Sequence, residues 1–311
     1  MKPKILLTGK NGQVGADLAT LLPVIGELVA LGRQQLDLAS PAEIRSVIQQ
    51  VQPQVIINAA AYTAVDKAEK EESIARAINA DAPAVMAEEA KKIGAALVHY
   101  STDYVFDGTR TSPYEEDDPT SPINIYGSTK LAGERAIQAS GASHLIFRTS
   151  WVYATRGRNF LLTILRLATE REELRVVADQ IGAPTWSRKI ASATAGIVAR
   201  IADQPNRREA LLECRGIYNM TAAGETCWSD FATAILVKAR ETPPSTPWFS
   251  AATQNRPIIA QRIVPIPSAE YLTPAPRPQY SVLSNSRLLH EFDVRLENWR
   301  DQLNEAFHSP A

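Results

Sequence analysis

The chain has 311 residues, of which 45% are hydrophobic and 22% charged, and its formal net charge is -1 at pH 7. This composition is typical of a globular enzyme with one large or two coupled domains, and no basic run favours a nucleic acid or an anionic membrane as partner. Two cysteines, Cys214 and Cys227, are too few for a disulfide framework, and the first apolar run is too short for a signal peptide. No apolar segment approaches the ~20 residues that span a bilayer, so we expect a cytoplasmic protein with reduced thiols and no membrane partner.

Short β-rich runs alternate with longer helical patterns over the first 180 residues. Alternation of this kind implies parallel strands joined by right-handed crossovers, which is a doubly wound α/β sheet, the Rossmann fold, with helices on both faces. The helix that opens at Ser40 and Pro41 has a good N-cap followed by a proline at its first position. The predicted strands are 4–8, 28–31, 55–57, 96–100, 144–147 and 174–177, and the other predicted helices are 12–22, 69–93, 126–140 and 159–170.

The composition changes after about residue 180. Nine prolines fall between Pro243 and Pro278, so regular elements there must be short and loops must dominate. We expect residues 1–180 to form a dinucleotide-binding domain and residues 181–311 mainly a smaller, irregular substrate-binding lobe, although some later segments can return to the first domain. Ligands of such folds bind beyond the carboxyl ends of the strands, where the second lobe would form the other wall.

Three glycines, Gly9, Gly12 and Gly15, follow the first predicted strand with the spacing G-x-x-G-x-x-G. Glycines let the backbone turn tightly and approach a pyrophosphate, and the next helix points its N-terminal N–H groups at that anion. A glycine triplet alone is a weak signal, but its place between a strand and a helix is the required context. The loop therefore predicts dinucleotide binding, the alternative being a purely structural turn.

The end of the second strand should face the adenosine ribose, where a carboxylate would favour NAD. No acidic residue occurs here before Asp37, and Arg33 can instead pair with a 2′-phosphate. The sequence favours NADPH as the cofactor, with NADH as the alternative if Arg33 points to solvent.

Tyr126 and Lys130 have the spacing Y-x-x-x-K at the start of a predicted helix, which places both side chains on one face. Free tyrosine has a pKa of about 10, and a nearby lysine cation is expected to lower it by roughly 1–3 pH units, making the phenol a competent proton donor. Thr102 follows the fourth strand, so its hydroxyl should face the same crevice and donate to a carbonyl oxygen that gains negative charge. A capping role is the alternative for Thr102.

With these motifs the chain resembles the extended short-chain dehydrogenase/reductase family, in particular the members that reduce nucleotide-linked 4-keto-6-deoxy sugars. The resemblance covers nearly the whole chain and is carried by residues 9–15, 58–69, 100–106, 126–134, 147–153, 179–185 and 273–278.

The resemblance implies reduction of the C4 ketone of dTDP-4-dehydro-L-rhamnose by NAD(P)H. Tyr126 would protonate the C4 oxygen, Lys130 would hold the nicotinamide ribose and tune Tyr126, and Thr102 would polarise the ketone. Core packing is the alternative role for Trp151. The remaining assignments place Gln13 and Val14 at the pyrophosphate, Asp37 and Leu38 near the adenine, Ala61, Tyr62 and Thr63 along the cofactor, and Asp103 and Trp151 against the sugar nucleotide.

Two other functions stay open. Related sugar-nucleotide dehydratases have the sequence Thr-Asp-Glu, in which the glutamate is the base for water elimination. Here Tyr104 follows Thr102 and Asp103, so that base is missing and reduction is favoured over dehydration. Another nucleotide-sugar reductase or epimerase on this scaffold is an alternative that a substrate panel would discriminate. A non-catalytic dinucleotide-binding regulatory subunit is less favoured, because such proteins often lack the tyrosine or lysine of the pair.

Some relatives bind magnesium at a dimer interface through glutamates, one of them soon after a Gly-Ala-Pro-Thr stretch. Here that stretch continues into Arg188 and Lys189, and neither side chain can replace an oxygen ligand of a hard cation. The sequence argues against a magnesium site and against a dimer that depends on one, and it leaves a homodimer of another kind open.

Overall fold

A parallel six-stranded sheet forms the centre of the molecule, whose computed structural model describes residues 2–202, 204 and 212–309. The strands in these residues are β1 Lys4–Thr8, β2 Glu27–Leu31, β3 Val55–Asn58, β4 Ala96–Thr102, β5 Ser143–Thr149, β6 Val152–Tyr153, β7 Glu173–Val177, β8 Ile181–Gly182, β9 Thr185–Trp186, β10 Gly216–Asn219, β11 Thr226–Cys227 and β12 Arg262–Ile266.

Helices cover both faces of this sheet and build most of a second lobe. Their bounds are α1 Gln13–Leu21, α2 Pro41–Val51, α3 Val65–Ala68, α4 Glu72–Arg76, α5 Ala82–Ile93, α6 Ile125–Ser140, α7 Phe160–Ala168, α8 Ser187–Ala202, α9 Trp228–Glu241, α10 Pro247–Thr253, α11 Ser286–Phe292 and α12 Trp299–His308.

The strand order in the central sheet is β2-β1-β3-β4-β5-β10, and every neighbouring pair is parallel. The predicted doubly wound α/β fold is therefore confirmed. The predicted sixth strand forms as β7, but its assignment to the central sheet was wrong, because β7 pairs with β12 in a separate two-stranded sheet. The short β10 takes the place beside β5 instead.

Side chains that alternate along β1 explain why both faces of the sheet are covered. Ile5 and Leu7 point into a core shared with α1, α8 and α11, whereas Leu6 points into a core shared with α2 and α5. Successive residues of a strand face opposite sides, so an uninterrupted apolar run is what a sheet buried on both faces requires.

The long helix predicted over 69–93 forms as α4 and α5 joined by a π-helical turn, Ala77–Asp81. Pro83 lies in the first turn of α5 and has no backbone N–H to donate to the carbonyl of Asn79, which is the partner four residues earlier in a regular α-helix. The missing donor explains why the regular hydrogen-bond pattern is interrupted at this point.

A separate hydrophobic core, which includes Phe231, Trp248 and Trp299, lies among α7, α9, α10, α12 and the β7/β12 pair and forms the centre of the second lobe. Regular elements of the proline-rich segment are short, as predicted: α10 has seven residues and β12 has five. Helix α8 packs on α1, α11 packs on β10, and β10 completes the central sheet, so three segments beyond residue 180 belong to the half of the molecule that contains this sheet. Across the described residues, no helix combines the length and apolar character that a membrane crossing needs.

Candidate active site

A cleft of about 940 Å³ opens at the carboxyl ends of the central strands and is closed on one side by the second lobe. Its position is the one expected for the ligand site of a doubly wound sheet. All of the site residues predicted from the sequence line this cleft except Gly15: Gly9, Gly12, Gln13, Val14, Arg33, Asp37, Leu38, Ala61, Tyr62, Thr63, Thr102, Asp103, Tyr126, Lys130 and Trp151.

The glycine loop between β1 and α1 is packed too tightly for side chains. Gly9 has φ +78°, and a Cβ there would stand 2.7 Å from the backbone nitrogen of Ala60. A Cβ on Gly15 would collide with the carbonyl of Gly9, so Gly15 allows α1 to pack closely against the loop although it does not line the cleft. Gly12 caps α1 without a side chain, which leaves the N–H groups of the first turn facing the cleft as an anion site.

The end of β2 forms the side of the cleft where the sequence predicts the adenosine. Leu38 is buried, and the carboxylate of Asp37 accepts a hydrogen bond from the Ala39 backbone N–H (3.0 Å). Arg33 is exposed and makes no ion pair with any residue that the structure describes. Asn11, a residue that the sequence reasoning missed, lies against Gly32 beside Arg33.

The segment after β3 is held in place by the π-helical turn. The side-chain amide of Asn79 accepts from the backbone N–H of Tyr62 (2.8 Å) and donates to the carbonyl of Tyr62 (3.1 Å) and to the hydroxyl of Thr129 (3.2 Å). π-Helical turns inside longer helices often occur at functional sites. Here the turn fixes the backbone of Ala61 to Thr63 along the cleft.

The N-terminal cap of α6 positions Tyr126 and Lys130. Asn124 accepts from the backbone N–H of Gly127 (2.8 Å), and Glu69 accepts from that of Ile125 (2.9 Å). Both side chains of the pair reach the cleft, as their i, i+4 spacing predicts. The Nζ atom of Lys130 is fully buried and lies 2.5 Å from the carbonyl oxygen of Tyr100 and 3.0 Å from Nε2 of His99.

The expectation that Lys130 lowers the pKa of Tyr126 was wrong for the protein alone. Burial raises the pKa of Tyr126 to about 12, and a hydrogen bond with Thr102 opposes this only in part. Lys130 is directed towards His99 and the Tyr100 carbonyl, and burial lowers its own pKa to about 8. The phenol therefore stays protonated at neutral pH, which is the form that a proton donor needs.

Thr102 and Asp103 share one hydrogen bond at the end of β4. The hydroxyl of Thr102 donates to Oδ1 of Asp103 (2.9 Å) and accepts from the backbone N–H of Tyr104 (3.1 Å). Burial raises the pKa of Asp103 to about 6, while hydrogen bonds from Ser281, Thr102 and Ser150 partly offset it. A hydroxyl has a single proton, so Thr102 can donate to a substrate ketone only when it turns away from Asp103.

Aromatic side chains form one wall of the cleft. Trp151 has φ +47°, a strained backbone conformation for a tryptophan, and its ring stacks on Trp228 with centroids 3.4 Å apart and planes 3° from parallel. Phe160 packs on Trp228 with centroids 4.4 Å apart. The sequence reasoning missed Trp228 and Phe160, since no local pattern marks two residues that reach the cleft from different helices.

The glycine loop and the Tyr126/Lys130 pair line the same cleft at the carboxyl edge of a Rossmann sheet. This arrangement defines an oxidoreductase that uses a nicotinamide dinucleotide. A model of the family described as the RmlD substrate binding domain matches residues 2–310, and the chain belongs to that family.

Individual relatives are similar over almost their whole length. The dTDP-4-dehydrorhamnose reductase of Burkholderia thailandensis is 48% identical over 297 residues, which cover 96% of this chain and 95% of that protein. The reductase of the same name from Escherichia coli K12 is 40% identical over 315 residues, covering 99% of both. The crystal structure of dTDP-4-dehydrorhamnose reductase from Bacillus anthracis, in complex with NADP, has a TM-score of 0.86 and 33% identity over 99% of both chains.

Proposed function

We propose that this protein reduces the C4 ketone of dTDP-4-dehydro-L-rhamnose to give dTDP-L-rhamnose, with NADPH as the reductant, in the cytoplasm. The curated relatives of that name support the substrate, and the NADP bound to the B. anthracis reductase supports the cofactor. The observation in this chain that carries the proposal is that Thr102, Tyr126 and Lys130 meet in the cleft that also contains the glycine loop.

When bound, NADPH supplies the hydride that is added to C4. The Tyr126 phenol donates its proton to the C4 oxygen, because burial keeps the phenol protonated. Thr102 donates a hydrogen bond to the same oxygen and so stabilises the negative charge that develops there. Lys130 holds the cofactor and influences the proton of Tyr126, and Trp151 and Asp103 contact the sugar nucleotide. We assign the choice of sugar to the second lobe, which consists mainly of residues 181–311 without α8, α11 and β10.

The residues of the cleft fit a dinucleotide. The first turn of α1 presents backbone N–H groups to a pyrophosphate through Gly12, Gln13 and Val14. Ser101 adds a buried hydroxyl that has no hydrogen-bond partner among the described residues and lines the same cleft.

Replacing Arg33 by Ala is expected to weaken NADPH binding by about tenfold or more, because a charge-assisted hydrogen bond to a phosphate is worth ~1.5–3 kcal/mol. The dissociation constant for NADH should stay the same, since NADH lacks the 2′-phosphate. Fluorescence titration with both cofactors measures this difference. Gln34→Ala, at the next exposed position, is the matched control and should change neither constant. Equal loss for the two cofactors would show that Arg33 does not bind the 2′-phosphate.

The function itself is tested by the decrease in NADPH absorbance on addition of dTDP-4-dehydro-L-rhamnose made in place by the upstream dehydratase and epimerase. Rapid oxidation with dTDP-L-rhamnose as product is the expected result. Tight NADPH binding without oxidation would contradict the proposed substrate, and a panel of other nucleotide-linked keto sugars would follow.

We also propose that any homodimer forms without magnesium bound near residues 186–189. Lys189 Nζ lies 3.1 Å from Oε1 of Glu297 and 2.8 Å from Oε2 of Glu305, so an ammonium already pairs with both carboxylates at this position. Gel filtration followed by elemental analysis should find less than stoichiometric magnesium in the main peak. One magnesium per chain, or a dimer that dissociates on addition of a chelator, would contradict this proposal.

A further inference from the structure

Lys130 touches a buried series of hydrogen bonds that leads through β4 and β3 to Thr8 on β1. His99 lies on β4 with its Nε2 atom 3.0 Å from Nζ of Lys130, and both side chains are 1% exposed. On the other side of the imidazole, Nδ1 lies 3.1 Å from Nδ2 of Asn58. The amide oxygen of Asn58 accepts from the hydroxyl of Thr8 (2.7 Å) and from the backbone N–H of Ala60 (3.3 Å).

These hydrogen bonds determine which nitrogen of the His99 imidazole carries the proton. The backbone N–H of Ala60 can only donate, so it keeps the amide oxygen of Asn58 on its own side and turns the NH₂ group towards His99. Nδ1 of His99 is then an acceptor. A neutral imidazole carries its single proton on the other nitrogen, so the N–H at Nε2 points at Lys130.

An ammonium group has three donors and no acceptor, so a charged Lys130 cannot accept the proton on Nε2 of His99. A neutral amine has a lone pair and can accept it. The chain from Thr8 to His99 therefore stabilises the neutral form of Lys130 relative to the charged form. Burial acts in the same direction, since it lowers the pKa of Lys130 to about 8 and holds the pKa of His99 well below its usual value.

The other charged groups around Lys130 do not reverse this effect. Glu134 lies one turn further along α6 and raises the pKa of Lys130. Its carboxylate is already paired with Arg148 of β5 through Nε (3.0 Å) and Nη2 (2.7 Å). Asn79 and Thr129, which pack beside this part of α6, carry no charge.

We propose that His99, oriented by Asn58 and Thr8, is a positioning residue that makes the Lys130 ammonium a ready proton source for Tyr126 after each reduction. The inference rests on the proposed function, in which Tyr126 gives its proton to the C4 oxygen while the hydride brings the electron pair. The resulting phenolate takes a proton from Lys130. The neutral amine then accepts the Nε2–H hydrogen bond of His99, and Lys130 regains a proton from solvent water.

Asn58→Asp is the most direct test. A carboxylate at this position accepts hydrogen bonds from Thr8 and Ala60 as the amide oxygen did. It has no N–H to donate to His99, so it must accept a hydrogen bond from His99 instead. Nδ1 must then carry the imidazole proton, and the lone pair of Nε2 faces Lys130, where it accepts from the ammonium. We expect the pKa of Lys130 to rise by about 1–3 pH units, because an opposite charge and a new acceptor both favour the cation.

The pKa is read from NMR spectra of the cofactor-free protein that contains ¹³C-labelled lysine, with Lys130→Arg used to assign the signal. This measurement needs no substrate, so its result is independent of whether the proposed function is correct. The exposed Asn304→Asp on α12 makes the same chemical change far from the cleft and should leave the signal of Lys130 unchanged. His99→Gln is the second variant, since its amide oxygen can accept from the ammonium and should raise the pKa in the same direction.

Turnover provides the second measurement. The alkaline limb of the pH profile of kcat should move upward by about one pH unit or more in Asn58→Asp, in step with the pKa of Lys130. A pKa of Lys130 near its usual value in the unmodified protein, or one that neither variant changes, would overturn the proposal. A raised pKa with an unmoved alkaline limb would overturn the link between Lys130 and proton supply.

Discussion

Tyr126→Phe should lose roughly 10²–10⁴-fold in kcat with dTDP-4-dehydro-L-rhamnose, the range that a general acid contributes. Phenylalanine fills the same space but has no proton to give to the C4 oxygen. The ring of Tyr126 packs edge-on against Tyr104 with centroids 5.6 Å apart, and this contact survives the substitution. The dissociation constant for NADPH should therefore change little, and stopped-flow single turnovers should locate the loss in the chemical step.

Tyr218→Phe is the matched control for that experiment. Its hydroxyl donates to the carbonyl of Cys214 (2.7 Å) in a buried position of β10, so the same atom is removed outside the cleft. This variant should be less stable by about 1 kcal/mol, which is typical of a lost hydrogen bond, and should keep its turnover. If Tyr126→Phe turned over as fast as the unmodified protein, Tyr126 could not be the proton donor.

Arg148→Met should destabilise the protein by about 3–5 kcal/mol, since it leaves the charge of Glu134 buried without a partner. Arg148 and Glu134 are 2% and 1% exposed and are joined by two hydrogen bonds of 3.0 and 2.7 Å. The guanidinium also donates to the carbonyl of Glu116 (3.0 Å) and lies over the ring of Phe106. Urea unfolding, with the midpoint converted to free energy, measures the loss.

Two further variants separate the buried charge from the lost contacts. The double variant Arg148→Met with Glu134→Leu removes both charges and should recover most of the stability, because apolar replacement of a buried pair is often neutral. Arg166→Met removes the ion pair between Arg166 of α7 and Glu170, which follows this helix, and should cost at most ~1 kcal/mol. Similar losses for Arg148→Met and Arg166→Met would contradict the argument from burial.

Local patterns predicted the parts of the structure that depend on neighbouring residues. The apolar run of β1, the glycine spacing after it and the i, i+4 spacing of Tyr126 and Lys130 each act within a few residues, and all of them appear in the structure where they were expected. The roles given to the individual site residues stay predictions until variants are measured.

Long-range contacts could not be read from the sequence. The pairing of β7 with β12 joins segments almost ninety residues apart, and its apolar run looks the same as that of a central strand. The role of Trp228 also depends on a long-range contact, because its ring stacks on Trp151 only in the folded chain. The direction in which the Lys130 side chain points depends on His99 and, through His99, on Asn58. These two residues lie on β4 and β3, so the spacing of Tyr126 and Lys130 gave no indication of that direction.

The close packing of Trp151 against Gly182 restricts how this family can diversify. A Cβ at residue 182 would overlap the indole ring of Trp151, so a larger residue there is compatible only with a smaller one at 151. Because the same indole stacks on Trp228, a change at 151 also alters the surface on which α9 begins. We therefore expect positions 151, 182 and 228 to covary among homologues, and a lineage that acquires a different sugar specificity to change them together.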